Sequence, residues 1–272
     1  MAKKTTQQQQ YLSSEEIKIL AKVSKDIFYF SHFIWVINPV LGRVRFDLYP
    51  YQKSVLYNFL KERFNIILKF RQAGITELIS MYCLWLAMYH SNKKINIISI
   101  KDTIAKKVLK KIKFMYKNLP WYLQTPIING RTGEYGSAST MEFSNGSIIE
   151  SIPTSDQAGR SESLSLLVID EAAIVRWAAQ IWAAAFPTLS TGGSAIVNST
   201  PFGVGGFYHS TWVDAISGSN PFNPIRLYWQ MHPDRDQNWY DEMATALGPK
   251  RTAQEIDGDF LSSGNTVFDL AD

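Results

Sequence analysis

From residue 65 onward the chain falls into a repeating rhythm. Short, nearly continuous apolar runs alternate with longer stretches that are apolar throughout or along one helical face. Asn65 to Phe70, Ile95 to Ile100, Leu164 to Ile169 and Ala195 to Asn198 read as short buried strands. Between them, Thr76 to Tyr89, Thr103 to Tyr116 and Ala173 to Phe186 read as helices. Met141 to Ile152 reads as two strands joined at Asn145-Gly146, a residue pair that tolerates the positive φ of a hairpin turn. Strands buried on both faces and separated by helices make an α/β fold with a mainly parallel central sheet flanked by helices. Such sheets bind ligands beyond the carboxyl ends of their strands. Lys69, Asp170 and Ser199 each stand at one.

The flanking segments differ. Gln7 to Gln10 form a polar tract, so residues 1–12 are expected to be a disordered leader. Ser13-Ser14-Glu15-Glu16 ahead of Ile17, Ile19, Leu20 and Val23 predicts a capped amphipathic helix. An aromatic-rich stretch from Phe28 to Trp35 follows, broken at Asn38-Pro39, and Phe46 to Gln52 leads into a second helix through Leu60. Residues 13–60 are thus a helical segment joined to a core that continues to residue 220. The Pro/Asn-rich segment near Pro221 to Pro224 marks a boundary. Beyond it, a strand candidate (Ile225 to Trp229) and a helix (Trp239 to Leu247) define a small subdomain over 221–261, and 262–272 reads as a linker.

Composition narrows the classes. The chain has 272 residues and a formal charge of +4, which permits a nucleic-acid partner without demanding one. A single cysteine, Cys83, excludes an internal disulfide framework and fits a reducing compartment. The histidines are scattered, with no cysteine at zinc-site spacing. No signal peptide and no apolar run of membrane-spanning length is present, so a soluble intracellular protein is expected.

The candidate chemistry lies at the strand ends. Lys69-Phe70-Arg71-Gln72-Ala73-Gly74-Ile75-Thr76, directly behind Ile66-Ile67-Leu68, is close to a phosphate-binding loop. Gly74 and Thr76 are in register with that motif, but Ile75 fills the usual lysine slot and the nearby lysine, Lys69, stands at the front. A loop between strand and helix offers backbone N–H groups and a positive helix end to phosphates. Thr76 can place its hydroxyl on Mg²⁺, and Lys69 or Arg71 can supply charge to the phosphates. A plain polar turn with solvated Lys69 and Arg71 is the competing reading. Asp170-Glu171, ending an apolar strand, changes the weighing. One carboxylate can hold a metal, Asp170, and its neighbour can act as base on water, Glu171; two acids capping a helix are the alternative. Asn198-Ser199-Thr200 can sense the γ-phosphate or form an ordinary turn. Tyr51-Gln52 can stack on and hydrogen-bond an adenine, or pack a helix start. Arg160, in Gly159-Arg160-Ser161, can act on a neighbouring subunit or sit idle in a surface loop. Lys106, Lys107, Lys110, Lys113 and Lys117 line one side of a helix opposite Ile104, Val108, Ile112 and Met115, either as a solvated face or as a contact for a phosphate backbone.

Taken together, these residues resemble the ATPase domain of phage terminase large subunits, the motors that package DNA into proheads. The likeness rests on Tyr51-Gln52, Arg71-Gln72-x-Gly74-x-Thr76, Asn145-Gly146-Ser147, Gly159-Arg160-Ser161, Val168-Ile169-Asp170-Glu171-Ala172 and Ser199-Thr200-Pro201-x-Gly203. The tail from Gln254-Glu255 through Gly258-Asp259-Phe260 to Ser263-Gly264 extends it. Ile75 departs from members with a lysine before the threonine, whereas Lys69 is similar to members that carry it at the front. The resemblance implies a RecA-like (ASCE) P-loop NTPase with a small lid subdomain. It implies ATP and Mg²⁺ as cofactors, double-stranded DNA, portal protein and small terminase subunit as partners, a self-associated ring on the portal, and the host cytoplasm as its place. It also implies a C-terminal nuclease domain, which is expected to be absent because the sequence stops at Asp272, just past the linker, and Asp269 and Asp272 are too few and too terminal to stand in for its acidic cluster. A helicase-like translocase and a non-enzymatic scaffold with a decayed loop are the rival functions.

Overall fold

The alternating apolar runs assemble into one sheet. A computed structural model describes residues 11–128, 135–155 and 163–263. Helices α1 (Ser14–Val23) and α2 (Ile27–Ser31) lead to a separate hairpin, β1 (Trp35–Asn38) and β2 (Gly42–Arg45). Then come α3 (Pro50–Lys61), β3 (Phe64–Leu68), α4 (Ile75–Tyr89), β4 (Lys94–Ile98) and α5 (Asp102–Lys117). After β5 (Thr140–Glu142), β6 (Ile148–Ser151) and β7 (Leu166–Asp170) follow α6 (Ala178–Ala185), β8 (Ser194–Ser199), α7 (Phe207–Ser217), β9 (Asn223–Arg226) and α8 (Gln237–Leu247).

Among the described residues the sheet has seven strands in the order β5-β6-β4-β7-β8-β3-β9. Every pairing is parallel except β5 with β6. The two-residue period of the strands sorts their side chains between two cores. Ile67, Ile95, Ile97, Leu166, Val168 and Ile196 face α3, α4 and α5. Ile66, Leu68, Leu167, Ile169, Ala195 and Val197 face α6 and α7. All five residues of β3 and of β7 are buried, each large apolar side chain contributing roughly 1.5–3 kcal/mol. That burial anchors the loops at their carboxyl ends.

Local signals account for some of the element ends. Ser13 accepts from the Glu16 N–H while Glu16 reaches back to the Ser13 N–H, closing a capping box on α1. Asn145-Gly146 does turn β5 into β6, with Gly146 at φ +80°. Asn145 also donates to the Ala87 and Met88 carbonyls and Ser147 to that of His90, which ties the hairpin to the end of α4.

Some readings change. The hairpin β1–β2 starts at the last residue of the aromatic stretch and runs across the break expected at Asn38-Pro39; Asn38 Oδ1 accepts from the Val40 and Leu41 N–H groups to shape its turn. The helix expected over 173–186 is broken. A 3-10 turn, Ala172–Ile174, precedes extended Val175, which buries its side chain with Ala172 and Ala178 before α6 begins. The strand expected at Ile225 to Trp229 lies slightly earlier, as β9 on the sheet edge. Pro224 lacks an N–H and is tolerated there because β9 pairs on one side only. The leader over 1–12 and the linker over 262–272 fall largely outside the described residues.

Candidate active site

Three neighbouring strands, β7, β8 and β3, deliver the candidate residues. Lys69 follows β3 and is buried; its Nζ meets Glu171 Oε1 at 2.6 Å, just beyond β7. Ser199 ends β8 between them. Its carbonyl accepts from the Lys69 N–H at 3.1 Å, and its Oγ accepts from the Ala173 N–H at 3.2 Å while lying 3.4 Å from Glu171 Oε2. Thr76, in the first turn of α4, donates to Asp170 Oδ1 at 3.2 Å. The lysine, both acids, the threonine and Ser199 therefore form one cluster.

The electrostatics are those of a buried polar pocket. Burial pushes the Asp170 carboxyl above its ordinary range, as does the charge of Glu171, while the Lys69 ammonium and the Thr76 hydroxyl pull it back. Asn198, opposite Asp170 in the β7–β8 register, favours the carboxylate without closing a well-formed hydrogen bond. Both polar atoms of its buried amide have no hydrogen-bond partner among the described residues. Thr200 is also buried. Glu171 adopts a left-handed backbone at φ +57°, ψ +45°, an unfavourable state for a non-glycine residue.

The phosphate-loop candidate is braced from below. Gly74, at φ +70°, starts α4, and the Leu78 N–H is the one that first reaches back to it. The earlier N–H groups of the helix have no intrahelical partner and remain to face an anion. Tyr51 Oη and Gln52 Nε2 donate to the Ala73 carbonyl at 2.9 and 3.1 Å, and Gln52 Oε1 accepts from the Tyr49 N–H. The pair offered by the sequence for an adenine is thus turned under the loop, with both ends of the Gln52 amide engaged. Ile75 is buried in the core, so the slot a lysine fills in the standard motif points inward.

Arg71 is not brought to the cluster. Its side chain is 69% exposed and pairs with Glu255 at 3.1 Å, and its N–H donates to the Glu255 carbonyl. Gln72 beside it sits at φ +60°. Arg160 lies outside the described residues. Sequence reasoning missed Glu255 and Arg235 as loop supports. Arg235 donates to the Arg71 carbonyl at 3.2 Å, and its guanidinium lies over Phe70 and Trp239. The Gln254-Glu255 resemblance carried a signal for Glu255; nothing in the sequence pointed to Arg235.

The model of a protein family described as terminase large subunit, T4likevirus-type, N-terminal, matches residues 66–272. The chain belongs to this terminase family. The match takes in the loop, both acids and the Asn198-Ser199-Thr200 turn. The terminase large subunit of Thermus phage G20c is 30% identical over an alignment of 125 residues that covers 40% of this chain and 25% of that protein. This terminase chain therefore spans about a quarter of the curated relative it matches. Among solved structures, the large terminase ATPase domain of Thermus phage P74-26 aligns over 79% of this chain and 94% of its own, at 18% identity and a TM-score of 0.60. The large terminase of a thermophilic bacteriophage, in complex with ADP, aligns over 79% of this chain and 54% of its own, at 14% identity and a TM-score of 0.63. The fold is the RecA-like α/β architecture of terminase ATPase domains. No helix among the described residues is long and apolar enough to cross a membrane.

Proposed function

We propose that this chain is the ATP-hydrolysing motor region of a terminase large subunit, which drives double-stranded DNA into a viral prohead. The observation that carries this reading is the Lys69–Glu171 contact at 2.6 Å, flanked by Thr76–Asp170. It brings the Lys69 ammonium, the Glu171 carboxylate, the Thr76 hydroxyl and the buried Asp170 carboxylate together, the groups such a reaction needs. A decayed scaffold would have no reason to keep a buried ammonium and carboxylate paired there. The ADP complex of the thermophilic bacteriophage terminase supports a nucleotide at this kind of site.

The residues also fit Mg²⁺. Among the described residues no group of three or more His, Cys, Asp or Glu side chains forms a metal cage. Mg²⁺ on phosphates needs only one or two protein oxygens, because substrate and water fill the rest of its shell. Asp170 and Thr76 would hold it, with the unpartnered Asn198 amide nearby. When bound, the metal supplies positive charge to the phosphate oxygens.

Lys69 leaves Glu171 for the phosphates when nucleotide enters, and the freed Glu171 carboxylate takes the proton of the attacking water. Tyr51 and Gln52 hold the loop, while Arg71 reaches the phosphates only by leaving Glu255. Arg160 serves the nucleotide of a neighbouring subunit in a ring on the portal. Asn198, Ser199 and Thr200 pass the phosphate state along β8. The portal protein, the small terminase subunit and the host cytoplasm complete this reading, and the nuclease step belongs to another domain. The decisive experiment measures phosphate release from ATP by the wild type, Lys69→Ala and Glu171→Ala. Undiminished turnover in both variants would overturn the reading.

A further inference from the structure

The lysine-rich face of α5 divides once its neighbours are known. Lys106 pairs with Asp102 at 2.5 Å, Lys113 donates to the Ser137 carbonyl, and Lys117 lies over the Tyr135 ring. These are held by the protein itself. Lys107 and Lys110 are exposed and have no carboxylate partner among the described residues. They face the hairpin across a cleft of about 190 Å³ that Trp35, Val36 and Ile37 line from the other side.

The hairpin adds charge of the same sign. Arg43 and Arg45 alternate along β2, so both project from one face, the face that carries Trp35 and Ile37 on β1. Both are exposed, and their guanidinium carbons lie 4.8 and 4.1 Å from the Trp35 ring centroid. Stacking on the ring positions each arginine at low entropic cost while leaving its N–H donors for another group. Arg43 also donates to Asn118 Oδ1 just past the end of α5, which fixes the hairpin to the helix. The acid lining the cleft, Glu77, is already paired with Lys111. Arg43 and Arg45, stacked on the Trp35 ring that lines the cleft, and Lys107 and Lys110 on its other wall thus stand around one cleft, in a chain whose total formal charge is only +4.

We infer that the cleft between the β1–β2 hairpin and α5 is a contact surface for the phosphodiester backbone of duplex DNA. Uncompensated, partly pre-positioned Arg and Lys side chains complement closely spaced phosphates without reading bases. The surface reaches the nucleotide loop through one ion pair: Lys111 holds Glu77, the residue after Thr76 in the first turn of α4. A phosphate drawing on Lys111 therefore acts next to the proposed metal ligand. This inference rests on the DNA-translocating reading.

The test is fluorescence anisotropy of a labelled duplex of about 30 base pairs titrated with the wild-type chain, Lys107→Glu/Lys110→Glu, and Lys18→Glu/Lys25→Glu as a charge-matched control on and beside α1. The cleft variant should bind at least about 10-fold more weakly than the control. Its plot of log affinity against log salt should be shallower than wild type by about 1.8, the value for two lost phosphate contacts. Lys107→Ala/Lys110→Ala should lie between wild type and reversal. Equal affinity and salt slope in the cleft variant and the control would sink the inference. So would a cleft variant that loses a poly-glutamate probe yet keeps duplex binding, which would assign the surface to an acidic protein partner. Because the readout is DNA binding, a chain that binds duplex here but releases no phosphate counts against the motor reading alone.

Discussion

The Lys69 ammonium meets the Glu171 carboxylate at 2.6 Å across the end of an intervening strand, β8, whose last residue touches both partners. The pair is well shielded, with side-chain exposures of 7% and 26%. In the proposed reading the base would be held by the same cation that nucleotide phosphates attract, so occupancy of the loop and release of the base would be one event.

If Lys69 supplies the phosphate charge and Glu171 the base, Lys69→Ala and Glu171→Ala each lower phosphate release by about 100-fold or more. Arg71→Ala, whose side chain is exposed and paired with Glu255, should retain at least about 10-fold more activity than Lys69→Ala. Steady-state phosphate release at saturating ATP checks both. The reverse order would transfer the main charge to Arg71.

Glu171 also stores backbone strain. At φ +57° a side chain is disfavoured where glycine is not. Glu171→Gly and Glu171→Ala both remove the carboxylate, yet the glycine variant should be more stable by about 1 kcal/mol. Urea unfolding of the two proteins measures this directly. Equal stabilities would mean that the left-handed conformation is not kept.

Asp170 gives a pH signature. Burial raises its carboxyl in the folded chain, whereas an unfolded aspartate ionises near a pKa of about 3.9. As pH rises between those two values the unfolded chain loses its proton first, so this group's contribution to stability falls. Asp170→Asn removes the penalty, and its melting temperature relative to wild type should climb as pH rises through that window and then level off. A difference independent of pH, or one that shrinks as pH rises, would contradict the burial argument. The same variant should lose Mg²⁺-dependent phosphate release.

Gly74 is fixed by two requirements. It sits at φ +70°, and a Cβ there would lie 2.5 Å from Gln52 Nε2. That amide cannot simply swing away, since it donates to the Ala73 carbonyl while its oxygen accepts from the Tyr49 N–H. Gly74→Ala should cost about 1–3 kcal/mol. Combined with Gln52→Ala, which clears the clash, the total loss should fall short of the sum by at least about 0.5 kcal/mol. Strict additivity in chemical denaturation would show that Gln52 is not the obstacle.

Much of this molecule was legible from local pattern. Five buried positions in a row predict a central strand, and Asn145-Gly146 predicts a hairpin, because both depend on neighbours in sequence. The hairpin at Trp35–Arg45 escaped because Asn38-Pro39 reads as a break between elements and its turn is held by the Asn38 side chain. The break at Val175 escaped because an alanine-rich run favours helix until packing intervenes.

The sequence by itself determined which residue types stand at the strand tips: a lysine after β3, paired acids at the end of β7 and short hydroxyls at the end of β8. Periodicity and composition fix that much, since they report which positions must leave water. Only the tertiary structure decided that β8 lies between β3 and β7, so that Lys69 reaches Glu171 and Ser199 touches both. It alone turned Tyr51 and Gln52 under the loop and sorted the α5 lysines into those held by neighbours and those with no ion-pair partner among the described residues. Strand order and side-chain partners come from contacts distant in sequence, where the burial of whole elements outweighs any local preference.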